Sequence, residues 1–421
     1  MSEIQTNWAG NYTYTAAQWH LPKTVAEVQA VVQSCTKLRA VGSRHSFNGI
    51  ADSPQNIISL AHYDQVLALD RVQSTVTVQA GIRYGQLARA LDVEGYALHN
   101  LASLPHISVV GACATATHGS GVGNGNLATA VTALEFVSAD GDLVALSRDR
   151  DPQTFPGVVV GLGATGVVTQ MTLAVHPTFS VRQDVYEHLP MDTLLSHFDE
   201  IVSSAYSVSL FTDWRSATIN QLWLKSLAPE GASLPAAPER FGATLATVPR
   251  HPLIEISAEN CTQQLGAPGP WHERLPHFRM DFMPSAGEEL QTEYIVPRQY
   301  AVESLRALFA IREQIAPLLQ ISEIRTIAAD DLWMSPCYRQ DCVALHFTWL
   351  KDWPGVKTLL PHVESALEPF DARPHWGKLF TTPPARLQAL FERLPDFQRL
   401  VQSYDPHGKF RNDFLDMLFL W

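Results

Sequence analysis

Val25, Val28, Val31 and Val32 recur at helical spacing behind Thr24, a competent N-cap, so residues 21–40 read as one helix. Short β runs follow at 56–60 and 74–79, the second alternating strictly at Val76 and Val78. Gly81-Ile-Arg-Tyr-Gly85 leads into a helix over 86–94. Runs at 129–137 and 143–146 flank Ala139-Asp-Gly-Asp142, a hairpin turn signal. The run 166–175 is a further strand, ended by His176-Pro177. After about 178 the texture changes. Strand-like pieces at 207–211 and 222–225 and a helix at 191–203 precede a Pro-rich stretch, 234–252. A second loop region, 267–287, holds Pro268, Pro270, Pro276 and Pro284. A helix at 302–315 and strands at 321–327 and 343–350 come next, and no internal repeat is present.

The pattern is α+β with many short strands, and 421 residues suit two domains. The boundary falls near 176, and the segment 376–421 is expected to return to the first domain. A net charge of −12 without a basic patch argues against a nucleic-acid or anionic-membrane partner. No apolar run reaches the roughly 20 residues of a membrane helix. The start MSEIQTNWAGNYTYT lacks the basic beginning and apolar centre of a signal peptide. Five scattered cysteines without a CxxC pair give no disulfide framework and no zinc site. A cytoplasmic protein without a bound metal is therefore expected.

Residues 95–134 carry no Asp, Glu, Lys or Arg and are rich in Gly, Ala, Ser and Thr. Small residues admit a ligand close to backbone N–H groups, and missing carboxylates spare an anion repulsion. With Val41-Gly-Ser-Arg-His-Ser-Phe-Asn48 this suggests a cradle for a phosphate-bearing cofactor. His45 there is either a nucleophile, as neutral imidazole, or an ordinary polar side chain. Gly161-Leu-Gly-Ala-Thr-Gly166 matches GxGxxG literally. A nicotinamide-type Rossmann turn needs a helix next and an acidic residue roughly 20 positions on. Here Val-Val-Thr-Gln-Met-Thr-Leu follows instead, so that reading fails; a plain turn or a turn passing close to a ligand remains. Glu323 and Arg325 share one face of a strand, as do His346 and Thr348. A surface ion pair would explain the first couple; the apolar strands around them point instead to buried function. Lys378 can join them, and a neighbouring cation would lower its pKa. P-loop, HExxH and GxSxG motifs are absent, and His272-Glu-Arg-Leu-Pro-His277 has the wrong spacing for a zincin.

These pieces, together with Ser103-Leu-Pro-His-Ile-Ser108, Ala116-Thr-His-Gly-Ser-Gly121, Arg373-Pro-His-Trp-Gly-Lys378 and Asp405-Pro-His-Gly-Lys-Phe410, resemble the vanillyl-alcohol-oxidase superfamily of covalent flavoproteins. Within it the nearest likeness is to the alditol (xylitol) oxidases, then to the sugar-lactone oxidases. The likeness runs nearly end to end and is weakest over about 178–300. It implies a two-domain PCMH-type FAD-binding fold: an FAD domain of 1–175 plus 376–421, and an antiparallel-sheet cap over 176–375 that holds the substrate. It implies that His45 carries FAD covalently through the 8α-methyl carbon. Val41, Gly42, Ser43, Arg44, Ser46 and Asn48 would line the pyrophosphate and ring. Ser103, Ser108, Gly111, Thr115, Thr117, His118 and Gly119 fall on the second cofactor stretch, and Val167 and Val168 on the adenine side. Val110 and Cys113 stand where smaller residues are usual. Polyol contacts carry over to Ser103, Glu323, Arg325, Thr348 and Lys378.

Oxidising a primary alcohol requires a hydride acceptor that side chains do not provide, which a flavin supplies. Arg325 and Lys378 would stabilise the developing alkoxide, with Glu323 fixing them. The reading is thus an FAD-dependent polyol oxidase, a monomer acting on a small polyol and O2 and releasing hydrogen peroxide. A sugar-1,4-lactone oxidase or dehydrogenase of gulonolactone or galactonolactone type, and a flavin carrier without turnover, are the alternatives.

Overall fold

The computed structural model describes residues 5–228, 235–282 and 288–419. Residues 1–4, Leu234 and Pro284 of the sequence reading lie outside these. Among the described residues the chain is α+β, organised around two separate antiparallel sheets.

The first sheet has five strands in the order Val66–Asp70, Thr75–Gln79, Val167–Ala174, Val131–Val137, Leu143–Ser147. Val76 and Val78 are fully buried while their strand neighbours are not, so the alternation in sequence marks the core face. The hairpin around residues 139–142 forms with Leu134 opposite Leu146 and Val137 opposite Leu143. A small parallel sheet, Gln18–His20, Asn56–Ser59 and Arg39–Val41, lies beside it.

The expected helix over 21–40 is shorter than its pattern. It runs Val25–Ser34 with Thr24 capping Glu27 N, and Cys35 turns extended. The chain then forms the strand Arg39–Val41 because Arg39, 2% exposed, sends its guanidinium to the carbonyls of Ile50, Leu162, Gly163 and Phe410. A buried cation needs such partners, and four carbonyls from three segments, all on Nη1 and Nη2, fix its place. The expected helices at 191–203 and 302–315 are each broken once, at His197 and Ile311, where the backbone leaves helical geometry.

The second sheet has ten strands, all antiparallel. Its centre is Thr218–Leu227, Ser207–Thr212, Leu319–Ile327, Cys342–Leu350 and Glu289–Pro297, side by side. One face carries Leu210, Ile324, Leu345, Phe347 and Trp349 into a core covered by the helices Ala301–Ala310 and Trp353–Leu367. Phe347 and Trp349 stack at 5.0 Å. The other face carries the polar residues described below.

The C-terminal segment packs on the N-terminal region. Lys409 donates to the carbonyls of Val32 and Ala139, each at 2.6 Å, and Asn412 to those of Gly49 and Asp52. No helix among the described residues is long and apolar enough to cross a membrane.

Candidate active site

Sheet register places the polar residues in rows. Glu323 pairs with His346, which pairs with Glu293 on its other side; Ile321 pairs with Thr348, which pairs with Gln291. Period two then sends Glu323, Arg325, His346, Thr348, Gln291 and Glu293 to one face. All six are at most 9% exposed, so the surface ion pair is excluded. They line a cavity of about 280 Å³ with Ser103 and Lys378, and its other end is walled by Val41 to Ser46.

Arg325 joins the two sides. Its Nη1 donates to Ser103 Oγ and its Nη2 to Glu293 Oε1, both at 3.2 Å, and its Nε lies 3.5 Å from Glu323 Oε1. Glu293 Oε1 also lies 3.2 Å from His118 Nε2. Burial pushes Glu323 and Glu293 upward, but their donors outweigh it. The Arg325 guanidinium and the His277 hydrogen bond hold Glu323 far below the ordinary range, and the His118 contact together with Arg325 does the same for Glu293. Both are carboxylates. Lys378 Nζ donates to Gln291 Oε1, which His346 Nε2 approaches at 3.2 Å. Burial is the main cause that lowers the Lys378 pKa; Arg325 adds to it, while Glu293 and Glu289 oppose it. The expected direction holds, with desolvation rather than the neighbouring cation foremost. His346 and His375 are pushed down to about 3, chiefly by burial, and are neutral.

The loop 42–48 sits between this cluster and a second cavity of about 320 Å³. Val41, Gly42, Ser43, Ser46, Ser108, Gly111 and Thr115 line both cavities, so the two form one elongated space along the loop. Ser43 and Ser108 interlock, each backbone N–H donating to the other's hydroxyl oxygen. His45 is stacked on Trp8 with centroids 5.3 Å apart, both ring nitrogens are buried without a hydrogen-bond partner among the described residues, and burial, against the nearby Ser43 backbone, pushes it down to about 3. Phe47 N–H donates to Gly377 O, and the Lys378 ammonium lies 5.1 Å from the Phe47 ring centre. The loop and the Lys378 turn are therefore one unit.

Thr117 and His118 line the first cavity. Gly161, Gly163, Gly166 and Val168 line the second, so the glycine turn does pass along this space, and a strand follows it. Three expected cofactor residues do not line either cavity. Asn48 points away and donates to the carbonyls of Trp376 and Lys378, tying the two loops together. Gly119 faces Leu101 O and Asn100, where a Cβ would stand 2.5 Å from that carbonyl. Val167 is wholly buried in the core beside Val137. Cys113 also points into the core, against Tyr84 Oη at 3.4 Å. Residues that the sequence reading missed are Gln291 and Glu293, whose period-two polarity in Glu-Leu-Gln-Thr-Glu293 was the available signal, and Trp8, His277 and His375.

Residues 16–147 match the FAD binding domain family, and residues 283–418 the D-arabinono-1,4-lactone oxidase family. An alditol oxidase from Streptomyces sp. (strain IKD472 / FERM P-14339) is 49% identical over 420 residues, covering 99% of each chain. This chain belongs to the alditol oxidase family of PCMH-type flavoproteins. More distant relatives include the L-gulonolactone oxidase of Mus musculus, 26% identical over 98% of this chain and 97% of that one. The L-gulono-1,4-lactone dehydrogenase of Mycobacterium tuberculosis (strain ATCC 25618 / H37Rv) is 27% identical over 98% of each. Cholesterol oxidase from B. sterolicum, at 15% identity, shares the fold with a TM-score of 0.79 over 99% of this chain and 96% of that one. The family's FAD fits the residues present. A Cβ at Gly42 or Gly111 would come within 2.2 or 2.6 Å of Ser108 Oγ, so the glycines let the Ser108 hydroxyl close against the loop that lines the space, and among the described residues His45 offers two ring nitrogens without a hydrogen-bond partner there.

Proposed function

We propose that the protein is an FAD-dependent alditol oxidase that converts the primary alcohol of a xylitol- or sorbitol-type polyol to the aldose. The observation that carries this is one cavity with a buried Arg325–Glu323–Lys378 cluster at one end and the His45 loop at the other. In this reading residues 1–175 with 376–421 hold FAD, residues 176–375 hold the substrate, and His45 carries the flavin covalently. A neutral imidazole free of partners is a competent nucleophile toward the 8α carbon. Bound FAD supplies a two-electron acceptor for the carbon-bound hydride, and O2 takes those electrons on to hydrogen peroxide.

The chain's own residues then bind the polyol and handle its proton. Arg325 presents a donor to the reacting hydroxyl oxygen, and that hydroxyl points its proton at Lys378 Nζ. Its lowered pKa enlarges the amine fraction of Lys378, so Nζ takes the hydroxyl proton. The ammonium so formed and the Arg325 guanidinium face the alkoxide and stabilise it. Glu323 accepts hydrogen bonds from further hydroxyls, and Ser103 and Thr348 supply neutral donors and acceptors. Binding polyol displaces water from this buried cluster, which strengthens each of these contacts. Five free, buried cysteines suit a reducing cytoplasm, and the protein is taken as a monomer there.

The match of residues 283–418 favours a second reading, a sugar-1,4-lactone oxidase or dehydrogenase using the same charged groups on a ring. Peroxide release from the purified flavoprotein with xylitol, sorbitol and gulonolactone decides between them. Faster turnover of the open-chain polyols is expected; peroxide from the lactone alone overturns the first reading.

A further inference from the structure

Behind Glu323 lies a buried chain of polar groups that no step above uses. Lys225, 1% exposed, is on the strand Thr218–Leu227, on the same face of the sheet as Trp223. Its Nζ meets three acceptors: the carbonyl oxygens of Leu275 and Pro276, and His277 Nδ1 at 3.1 Å. Burial pushes Lys225 down to about 7 and the Glu323 charge opposes this; the three acceptors favour the ammonium, the form with three N–H donors to match them. His277 Nδ1 is then an acceptor, so the ring's proton is on Nε2, which lies 2.7 Å from Glu323 Oε1. The imidazole is clamped edge-on between Trp223 and Phe211, with centroids 5.1 and 5.5 Å away. Burial and the Lys225 charge push His277 down to about 4, so the neutral ring bridges a buried cation and a buried anion. The His277 backbone N–H donates to the carbonyl of Ser103, so the same residue holds a second member of the cavity wall.

We infer that Lys225 and His277 are positioning residues for alditol oxidation: Lys225 fixes the Nε2–H tautomer of His277, which holds the Glu323 carboxylate with one oxygen tied back and the other left for the polyol. The inference rests on the proposed oxidase function, since it assigns Glu323 to the substrate. A hydrogen bond that fixes ring orientation and tautomer is a common device behind working side chains. The Lys225 ammonium does this at two levels, because it also holds the carbonyls of the turn that carries His277. Among the described residues His277 Nε2 is the closest donor to Glu323 Oε1, at 2.7 Å, with Arg325 Nε farther off at 3.5 Å.

Two measurements on the purified holoenzyme test this. With 15N-histidine labelling, long-range 1H–15N correlation spectra assign His277 by its absence in His277→Gln. Protonated Nε2 and bare Nδ1 are expected in the wild type, and loss of that single tautomer in Lys225→Met. A ring protonated at Nδ1 in the wild type overturns the inference, whether or not any variant folds. In kinetics with xylitol, His277→Leu removes both bonds and is expected to lower kcat/KM ~10- to 100-fold. His277→Gln, whose amide accepts from Lys225 and donates to Glu323, is expected to recover most of that loss at unchanged flavin content. A glutamine variant as slow as the leucine variant, or a leucine variant as fast as wild type, overturns the inference. Absence of alditol turnover in the wild type is a different failure: it removes the proposed function and leaves the tautomer result standing.

Discussion

Lys378 and Gln291 are joined through one hydrogen bond from the lysine Nζ to the glutamine Oε1. The same oxygen faces His346 Nε2, and the glutamine amide donates to Glu289 Oε1, so the amide is held in one orientation. This supports the lysine from a strand, the most rigid kind of element in the site. Lys378→Ala is expected to cut polyol turnover per flavin ~10²- to 10⁴-fold, the usual range for a group that moves a proton. FAD content should change little. Peroxide release normalised to flavin absorbance checks it, and an unchanged rate removes Lys378 from the chemistry.

His45 and its cradle make a second expectation. His45→Ala should leave acid-precipitated protein colourless, with FAD recovered in the supernatant. Yellow pellets from that variant place the covalent bond elsewhere.

Gly42 faces Ser108 rather than open space. A Cβ at position 42 would come 2.2 Å from Ser108 Oγ, 3.3 Å from its Cβ and 3.7 Å from the Gly111 Cα. Gly42→Ala must therefore displace the hydroxyl that accepts the Ser43 N–H at 3.3 Å. Lower flavin incorporation is expected. Ser108→Ala removes the clashing atom, so the double variant should incorporate more FAD than Gly42→Ala alone, a coupling that contacting residues show. Absorbance ratios of the three purified variants check it; additive losses count against the cradle geometry.

Much of this site was legible because polar residues at period two stand out in apolar strands. Glu323 with Arg325, and His346 with Thr348, emerged that way, and register put them side by side. The same signal in Gln291 and Glu293 passed unread. Both strands of the first sheet's hairpin were also visible, since the turn residues and the alternation agree. What stayed hidden depends on tertiary contacts. The helix after Thr24 ends at Ser34, and Arg39, inside the helical pattern, is instead claimed in a strand by carbonyls from distant segments. Asn48 sits within the ligand loop, yet its amide is spent on Trp376 and Lys378, some 330 residues away. His277 looked like part of a failed metal motif; only folding brings Lys225 and Glu323 to its two nitrogens.

Three buried imidazoles, 3% to 8% exposed, give the fold an acid limit. His346 and His375 are pushed down to about 3 and His277 to about 4, in each case foremost by burial. Their ordinary value is 6.5. Above pH 6.5 both folded and unfolded chains hold these rings neutral, and the stability is complete. As the pH falls from 6.5 toward 4, the unfolded chain takes up protons that the folded chain refuses, so stability is lost in that window. Each group costs about 1.4 kcal/mol per pH unit, and three together about 4 kcal/mol per unit, once the pH is well below 6.5. Glu293 and Glu323, held below their ordinary 4.5, add their own loss only at lower pH. Melting temperatures by calorimetry should therefore be level from pH 8 to 7 and fall steeply between 6 and 4.5. The falling limb begins before Glu293 and Glu323 titrate; Asp330, pushed up to about 6 by burial, takes up a proton in the folded chain over the same range and offsets part of the loss. A melting temperature that holds level down to pH 5 would mean that these rings are charged or hydrated in the native state.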